Sequence, residues 1–159
     1  MGIKYDEKEI VNIFMKGDSL LTQQKYEQTI EKFLKVIELS ENTNFSYLSG
    51  AYTNLAKATW EPDPLDLEKT EEALGYIKTA LQLKPSNQAA RSLAIPILVF
   101  MKDFSSAIKY FLELTSKEAI NHSITYLNMM ETLAIKGDPS IKQAVPAIEE
   151  LYQSYKAIA

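Results

Sequence analysis

Three segments of this chain repeat one another's order of large and small residues, and no other feature constrains the fold as much. Tyr26, Thr29, Phe33, Val36 and Leu39 stand in the first, Thr70, Ala73, Ile77, Ala80 and Leu83 in the second, and Phe104, Ala107, Phe111 and Leu114 in the third. Steps of three and four residues place each set on one face of a helix. One such helix cannot bury its apolar face alone, so a recurring order calls for recurring partners. Small residues such as Ala73 and Ala107 let neighbours approach, while Phe33, Ile77 and Phe111 fill the seams.

The clearest segment is TEEALGYIKTALQLKPSN, from Thr70 to Asn87. Ala73, Tyr76, Ile77, Ala80, Leu81 and Leu83 make its apolar face. Pro85 ends it, because the residue before a proline is driven out of the helical region, and Ser86 is placed to cap the next helix.

The other helices pair around it. Asp6 with Glu9 reads as a capped start, followed by Ile10, Ile13, Phe14, Gly17, Leu20 and Leu21 on one face. A break at Gln23-Gln24-Lys25 separates these from a helix with Tyr26, Ile30, Phe33, Leu34 and Ile37 inward, which makes a hairpin of helices. In the second pair, Asn44 is expected to cap Tyr47, Leu48, Ala51, Tyr52, Leu55 and Ala58. Asp63-Pro64, inside the connection Glu61–Asp66, then opens the helix of Thr70. The third pair runs from Ser86 to about Lys117 with a break at Lys102-Asp103. The fourth starts near Ile120 and breaks at Gly137-Asp138-Pro139; Ile141, Val145, Ile148, Tyr152 and Tyr155 then form the inner face of a closing helix. No strand is expected.

Composition narrows the function. A net charge of −4 and a pI near 5.1 argue against nucleic acid, which wants a basic face. No apolar run approaches a membrane span, so no membrane insertion is expected. The opening MGIKYDEKEI lacks the apolar core of a secretory signal, and Asp6 stands where a myristoylation motif wants Ser or Thr. With no cysteine, the chain has neither disulfides nor thiolate metal sites, and a cytoplasmic setting is the simplest expectation. One histidine, His122 in an expected connection, cannot build a His-based triad or a His pair for a metal. The five glycines are dispersed, so no phosphate loop forms. Asp63, Asp66, Glu68, Glu71 and Glu72 lack the spacing of a calcium loop and read as a solvated helix start. The chain is expected to be no enzyme and to need no cofactor or metal.

From Thr70 to Phe104 the spacing is 34 residues. With YEQTIEKFLKVIELSEN and EEALGYIKTALQLKPSN, this pattern resembles the tetratricopeptide repeat family, with repeats at about 10–43, 49–87, 88–121 and 123–159. The second repeat is lengthened by Glu61–Asp66, it alone keeps the closing proline, and Pro96 falls mid-helix. The resemblance implies an all-α, right-handed superhelical solenoid of about four antiparallel helix pairs, forming a single domain over 1–159.

It also implies a job: binding a peptide or helical segment of a partner protein in a concave groove lined by the first helix of each pair. Carried over residue by residue, the groove candidates are Phe14, Asp18, Leu21, Thr53, Asn54, Lys57, Trp60, Ser92, Pro96, Val99, Phe100, Leu127, Asn128 and Glu131. Chaperone-binding members grip a terminal carboxylate with lysines, asparagines and an arginine. Here the matching places hold Phe14, Asp18, Asn54, Ala89 and Leu93. Only Asn54 agrees, and Asp18 would repel a carboxylate, so that clamp is not expected.

Phe14, Trp60 and Phe100 are then expected either to finish the core, as large aromatics at helical spacing do, or to act as apolar anchors, Trp60 first among them, each contributing about 1.5–3 kcal/mol if a partner buried it. Asn54 and Lys57 hold the ligand's main chain or an acidic group. Pro96 leaves the Ser92 carbonyl without its helical donor. Two rivals share the fold. One is a secretion-type chaperone shielding an apolar segment of a client, with a homodimer through Val11 and Met15. The other is a structural subunit that uses its outer face.

Overall fold

The computed structural model describes residues 6–41, 43, 45–135 and 153. Among the described residues there are seven α-helices and no strand, as the periodicity requires. The chain divides into two compact units, Met1–Asn87 and Gln88–Ala159. The boundary falls between the second and third repeats expected from the sequence.

In the first unit α1 spans Glu7–Thr22, α2 Tyr26–Ser40, α3 Leu48–Trp60 and α4 Leu67–Leu83. Each packs on the next, and α1 also meets α3. The α1 start is the capped one expected: the Asp6 carboxylate accepts the Lys8 N–H at 3.0 Å and the Glu9 N–H at 3.4 Å. A tight turn follows α1, with Gln24 at φ 59°, the Gln24 N–H given to Leu21 O and the Lys25 N–H to Leu20 O. That left-handed residue ends the helix and reverses the chain.

One core unites the helices: Ile10, Phe33, Val36, Phe45, Leu48, Ala51 and Leu55 are buried together. Leu34, Tyr47 and Leu83, all expected inward, are about half exposed. Leu34 is rotated by about 100° from Phe33 and so leaves the buried stripe. Tyr47 precedes α3, and Leu83 ends α4.

Two capping expectations, at Asp63 and Ser86, are corrected, while Asn44 lies outside the described residues and α3 starts at Leu48. The cap of α4 is Asp66, whose carboxylate accepts the Lys69 N–H at 2.9 Å; Asp63 serves the turn before it by accepting the Leu65 N–H. Pro85 does stop α4, yet α5 begins at Gln88, so Asn87 rather than Ser86 precedes it. Asn87 reaches back into the unit: its Nδ2 donates to Ser49 Oγ at 2.8 Å and to Thr53 Oγ1 at 3.0 Å. Ser49 Oγ donates in turn to Ala80 O at 2.7 Å, which ties the end of α4 to α3.

The second unit holds α5 Gln88–Phe100, α6 Phe104–Leu112 and α7 Lys117–Ile135. Helix α5 is buried without interruption from Ser92 to Val99 and packs on both α6 and α7. A helix apolar on every side is covered on every side. The α5–α6 turn copies the α1–α2 turn: Lys102 sits at φ 64°, its N–H goes to Val99 O, and the Asp103 N–H goes to Leu98 O. Asp103 then caps α6 through the Ser106 N–H. The Gln88 side-chain oxygen accepts the Thr115 and Ser116 N–H groups between α6 and α7. Arg91 forms an ion pair with Glu113 and lies 5.3 Å from the centre of the Tyr110 ring. Because α7 starts at Lys117 rather than Ile120, His122 is helical and exposed, not in a connection. The break at Gly137-Asp138-Pro139 and the closing helix lie outside the described residues.

Candidate functional site

Asp18 is near the end of α1, while Asn54 and Lys57 share one face of α3 three residues apart. The packing of α1 on α3 brings the three around a polar cavity of about 370 Å³, completed by Leu21, Thr22, Gln24 and Glu61.

Hydrogen bonds organise this cavity. Asn54 Nδ2 donates to Asp18 Oδ1 at 3.4 Å, and Thr22 Oγ1 donates to the Asp18 main-chain oxygen at 3.1 Å. Lys57 Nζ stands 3.7 Å from Glu61 Oε1, while the Tyr26 hydroxyl donates to Glu61 Oε2 at 3.2 Å. Burial, and after it the Glu61 carboxylate, raise the Tyr26 pKa above its ordinary value, so the phenol keeps the proton it donates. Glu61 thus joins the start of α2 to the end of α3. The arrangement offers a carboxylate at Asp18, the amide oxygen of Asn54 and a partly exposed ammonium at Lys57.

The other expected site residues sit elsewhere. Phe14 is half-buried; its ring meets Phe33 edge-on with centroids 5.3 Å apart and lies 5.7 Å from that of Tyr47, so it packs on the unit's core. Trp60 is 0 % exposed, which overturns the expectation that it projects into a groove. The last turn of α3 points inward there, because Trp60 falls on the same stripe as Ala56 and Thr53, which are also buried.

In the second unit Ser92 is 2 % exposed and donates its hydroxyl to Ala89 O, and Pro96 and Val99 are buried. These three therefore line no open surface. Phe100 is half-buried. Asn128 is exposed on α7; the side chains of Leu127 and Glu131 lie outside the described residues.

Sequence reasoning missed Thr22, Gln24 and Glu61 as lining residues. For Glu61 a signal existed, since Lys57 and Glu61 are four apart, the spacing of a helical ion pair. For Gln24 there was none, because its position follows from the left-handed turn. His122 lines a separate hollow of about 200 Å³ with Gln88, Ser116 and Glu118. Among the described residues no three His, Asp or Glu side chains are grouped to hold a metal ion. Within the acidic run 63–72, Asp66 caps α4, Asp63 holds the turn before it, and Glu72 accepts the Tyr76 hydroxyl at 3.1 Å.

No protein-family model and no curated protein matches the sequence. Solved structures do match the fold. The first TPR domain of Spaghetti (RPAP3), bound to the HSP90 peptide SRMEEVD, aligns with a TM-score of 0.60 and 22 % identity, over 82 % of this chain and 99 % of that one. The Sgt2 TPR domain from Aspergillus fumigatus aligns with a TM-score of 0.56 and 13 % identity, over 94 % of this chain and 82 % of that one. These likenesses establish an all-α, tetratricopeptide-like helical-repeat fold.

Proposed function

We propose that this tetratricopeptide-like chain is a protein-interaction module whose first unit holds an extended segment of a partner across α1 and α3. The observation that carries the reading is the meeting of Asp18, Asn54 and Lys57 around one open polar cavity, on the helices that the repeat pattern assigns to ligand contact. Support for a peptide ligand comes from the neighbouring RPAP3 domain, which is bound to a peptide. The residues argue for a different mode of grip. Asp18 adds a negative charge where a carboxylate clamp needs a positive one, so contact runs through hydrogen bonds to the segment's main chain and polar side chains. The reading includes no catalysis and no insertion into a membrane, and it takes the repeats as one working domain.

The test is affinity capture by the wild-type chain and by an Asn54→Ala, Lys57→Ala double variant, with mass spectrometry of what is retained. Loss of one discrete partner from the variant supports the reading. A partner retained equally by both sinks it and favours contacts elsewhere on the chain.

The homodimer of the chaperone reading has one specific support: Met15 is 62 % exposed on α1. Val11, its proposed companion, packs against the core. Sedimentation of wild type against Met15→Glu decides it, since a dimer through α1 would dissociate in the variant.

A further inference from the structure

We infer that the segment held by α1 and α3 carries a large apolar side chain and a basic side chain two positions apart, the first seated on an aromatic step of the groove and the second at Asp18. The inference rests on the α1–α3 reading above and names the residues that this groove selects.

The register of the two helices supplies the first argument. A Cβ built on Gly50 would lie 3.6 Å from Phe14 Cζ, and four residues further along both helices Asn54 Nδ2 meets Asp18 Oδ1 at 3.4 Å. Equal steps on both sides mean that α1 and α3 run parallel and that their facing residues form rungs. The polar cavity continues in the same direction, with residues 18–24 on one side and 54–61 on the other, so a segment seated in it lies along the helices. Four residues of helix rise about 6 Å, and two residues of extended chain span about 6.6 Å with both side chains on one side. Side chains two apart therefore fall on successive rungs.

The first rung is apolar. Gly50 has no side chain to cover Phe14, and Tyr47 beside it is 53 % exposed. The Tyr47 ring is nonetheless held in place, 5.7 Å from the ring of Phe14 and 5.7 Å from that of the buried Phe45. An aromatic surface that is exposed yet fixed gives up little freedom when a partner covers it. A polar side chain set there would lose its water and find no bonding partner in return.

The second rung is acidic. Asp18 is exposed, and Asn54 takes only its Oδ1, so the carboxylate stays open to a donor from a ligand. The ammonium of Lys57, further along, is offset by Glu61 at 3.7 Å, which leaves the charge of Asp18 in excess. The unit is biased the same way: residues 1–87 hold ten lysines against fourteen aspartates and glutamates. A basic side chain is drawn to this rung and an acidic one is repelled.

The experiment is a ¹⁵N–¹H NMR titration of the full chain with four blocked pentapeptides. They are acetyl-Ala-Leu-Ala-Arg-Ala-amide, the same peptide with Leu and Arg exchanged, its counterpart with Glu in place of Arg, and one with Leu and Arg adjacent. The expected result is a saturable, millimolar response of the Tyr47, Gly50 and Asn54 amides to one or both of the spaced arginine peptides, weakened by added salt. Asp18→Asn, in which asparagine still offers Asn54 an oxygen, should weaken it by about two- to five-fold, the range of one exposed ion pair. Tyr47→Ala, at a position outside the core, should weaken it by a similar factor. Dispersed spectra of each variant establish that it is folded. An equal response to the glutamate peptide or to adjacent Leu and Arg, a response that leaves Gly50 and Asn54 unmoved, no saturation, or folded variants that titrate like wild type would each overturn the inference. The groove itself is judged separately, by whether the Asn54→Ala, Lys57→Ala variant loses its partner in the capture experiment.

Discussion

The ring of Phe33 occupies the space that a side chain on Gly17 would need: a Cβ built there would lie 3.0 Å from two of its ring carbons and 3.2 Å from Lys32 Cβ. Phe33 is fully buried and cannot swing away, so this contact sets how closely α1 approaches α2. Gly17→Ala is therefore expected to destabilise the chain by about 1–3 kcal/mol despite the higher helix propensity of alanine. Urea denaturation measures it, and an unchanged midpoint would show that the helices can part without cost.

Trp60, the one tryptophan in the chain, should behave as a core residue. Its emission is expected at short wavelength in the native protein and at long wavelength in urea, which gives an intrinsic probe of the first unit. Truncation to alanine should cost about 3–5 kcal/mol. If Trp60→Ala kept full stability but lost a binding partner, the burial argument would fail.

Gln24 and Lys102 hold left-handed backbone angles in turns of the same design. A side chain there costs roughly 1–2 kcal/mol relative to glycine, which avoids the clash but gives back part of the gain as chain entropy. Gln24→Gly and Lys102→Gly should each raise stability by about 0.5–1 kcal/mol. Thermal melts of the single variants and of the double variant check both the sign and the additivity.

Three tyrosines make the fold sensitive to alkali. Burial, first, and a neighbouring carboxylate raise the pKa values of Tyr26, Tyr52 and Tyr76 above 10.0. Since the folded state holds these protons more tightly than the unfolded state, their contribution is complete below pH 10.0 and is lost as the pH rises through the folded values. Urea midpoints should be flat through neutral pH and fall in the alkaline range. Tyr76→Phe should flatten that fall, because Tyr76 also donates to Glu72 and lies 6.3 Å from the Tyr52 ring.

Helix positions and the stop at Pro85 could be read from the order of residues because they depend on neighbours a few positions away. Periodicity assigned Phe33, Ala73, Ile77, Ala107 and Phe111 to the interior, and all are buried. Local rules also located the Asp6 cap and the break before Asp103. They misplaced the cap of α4, since Asp63 and Asp66 are both good capping residues and only the course of the connection chooses between them.

The site divides along the same line. Asp18, Asn54 and Lys57 were nameable because each lies on a helical face that the resemblance to the repeat family assigns to the groove. Burial of Trp60, Ser92 and Pro96 was decided by the tertiary structure, since a residue on a predicted contact face stays exposed only if no other helix covers it. A one-dimensional pattern determines which side of each helix is apolar; contacts between residues tens of positions apart determine which of those sides are closed.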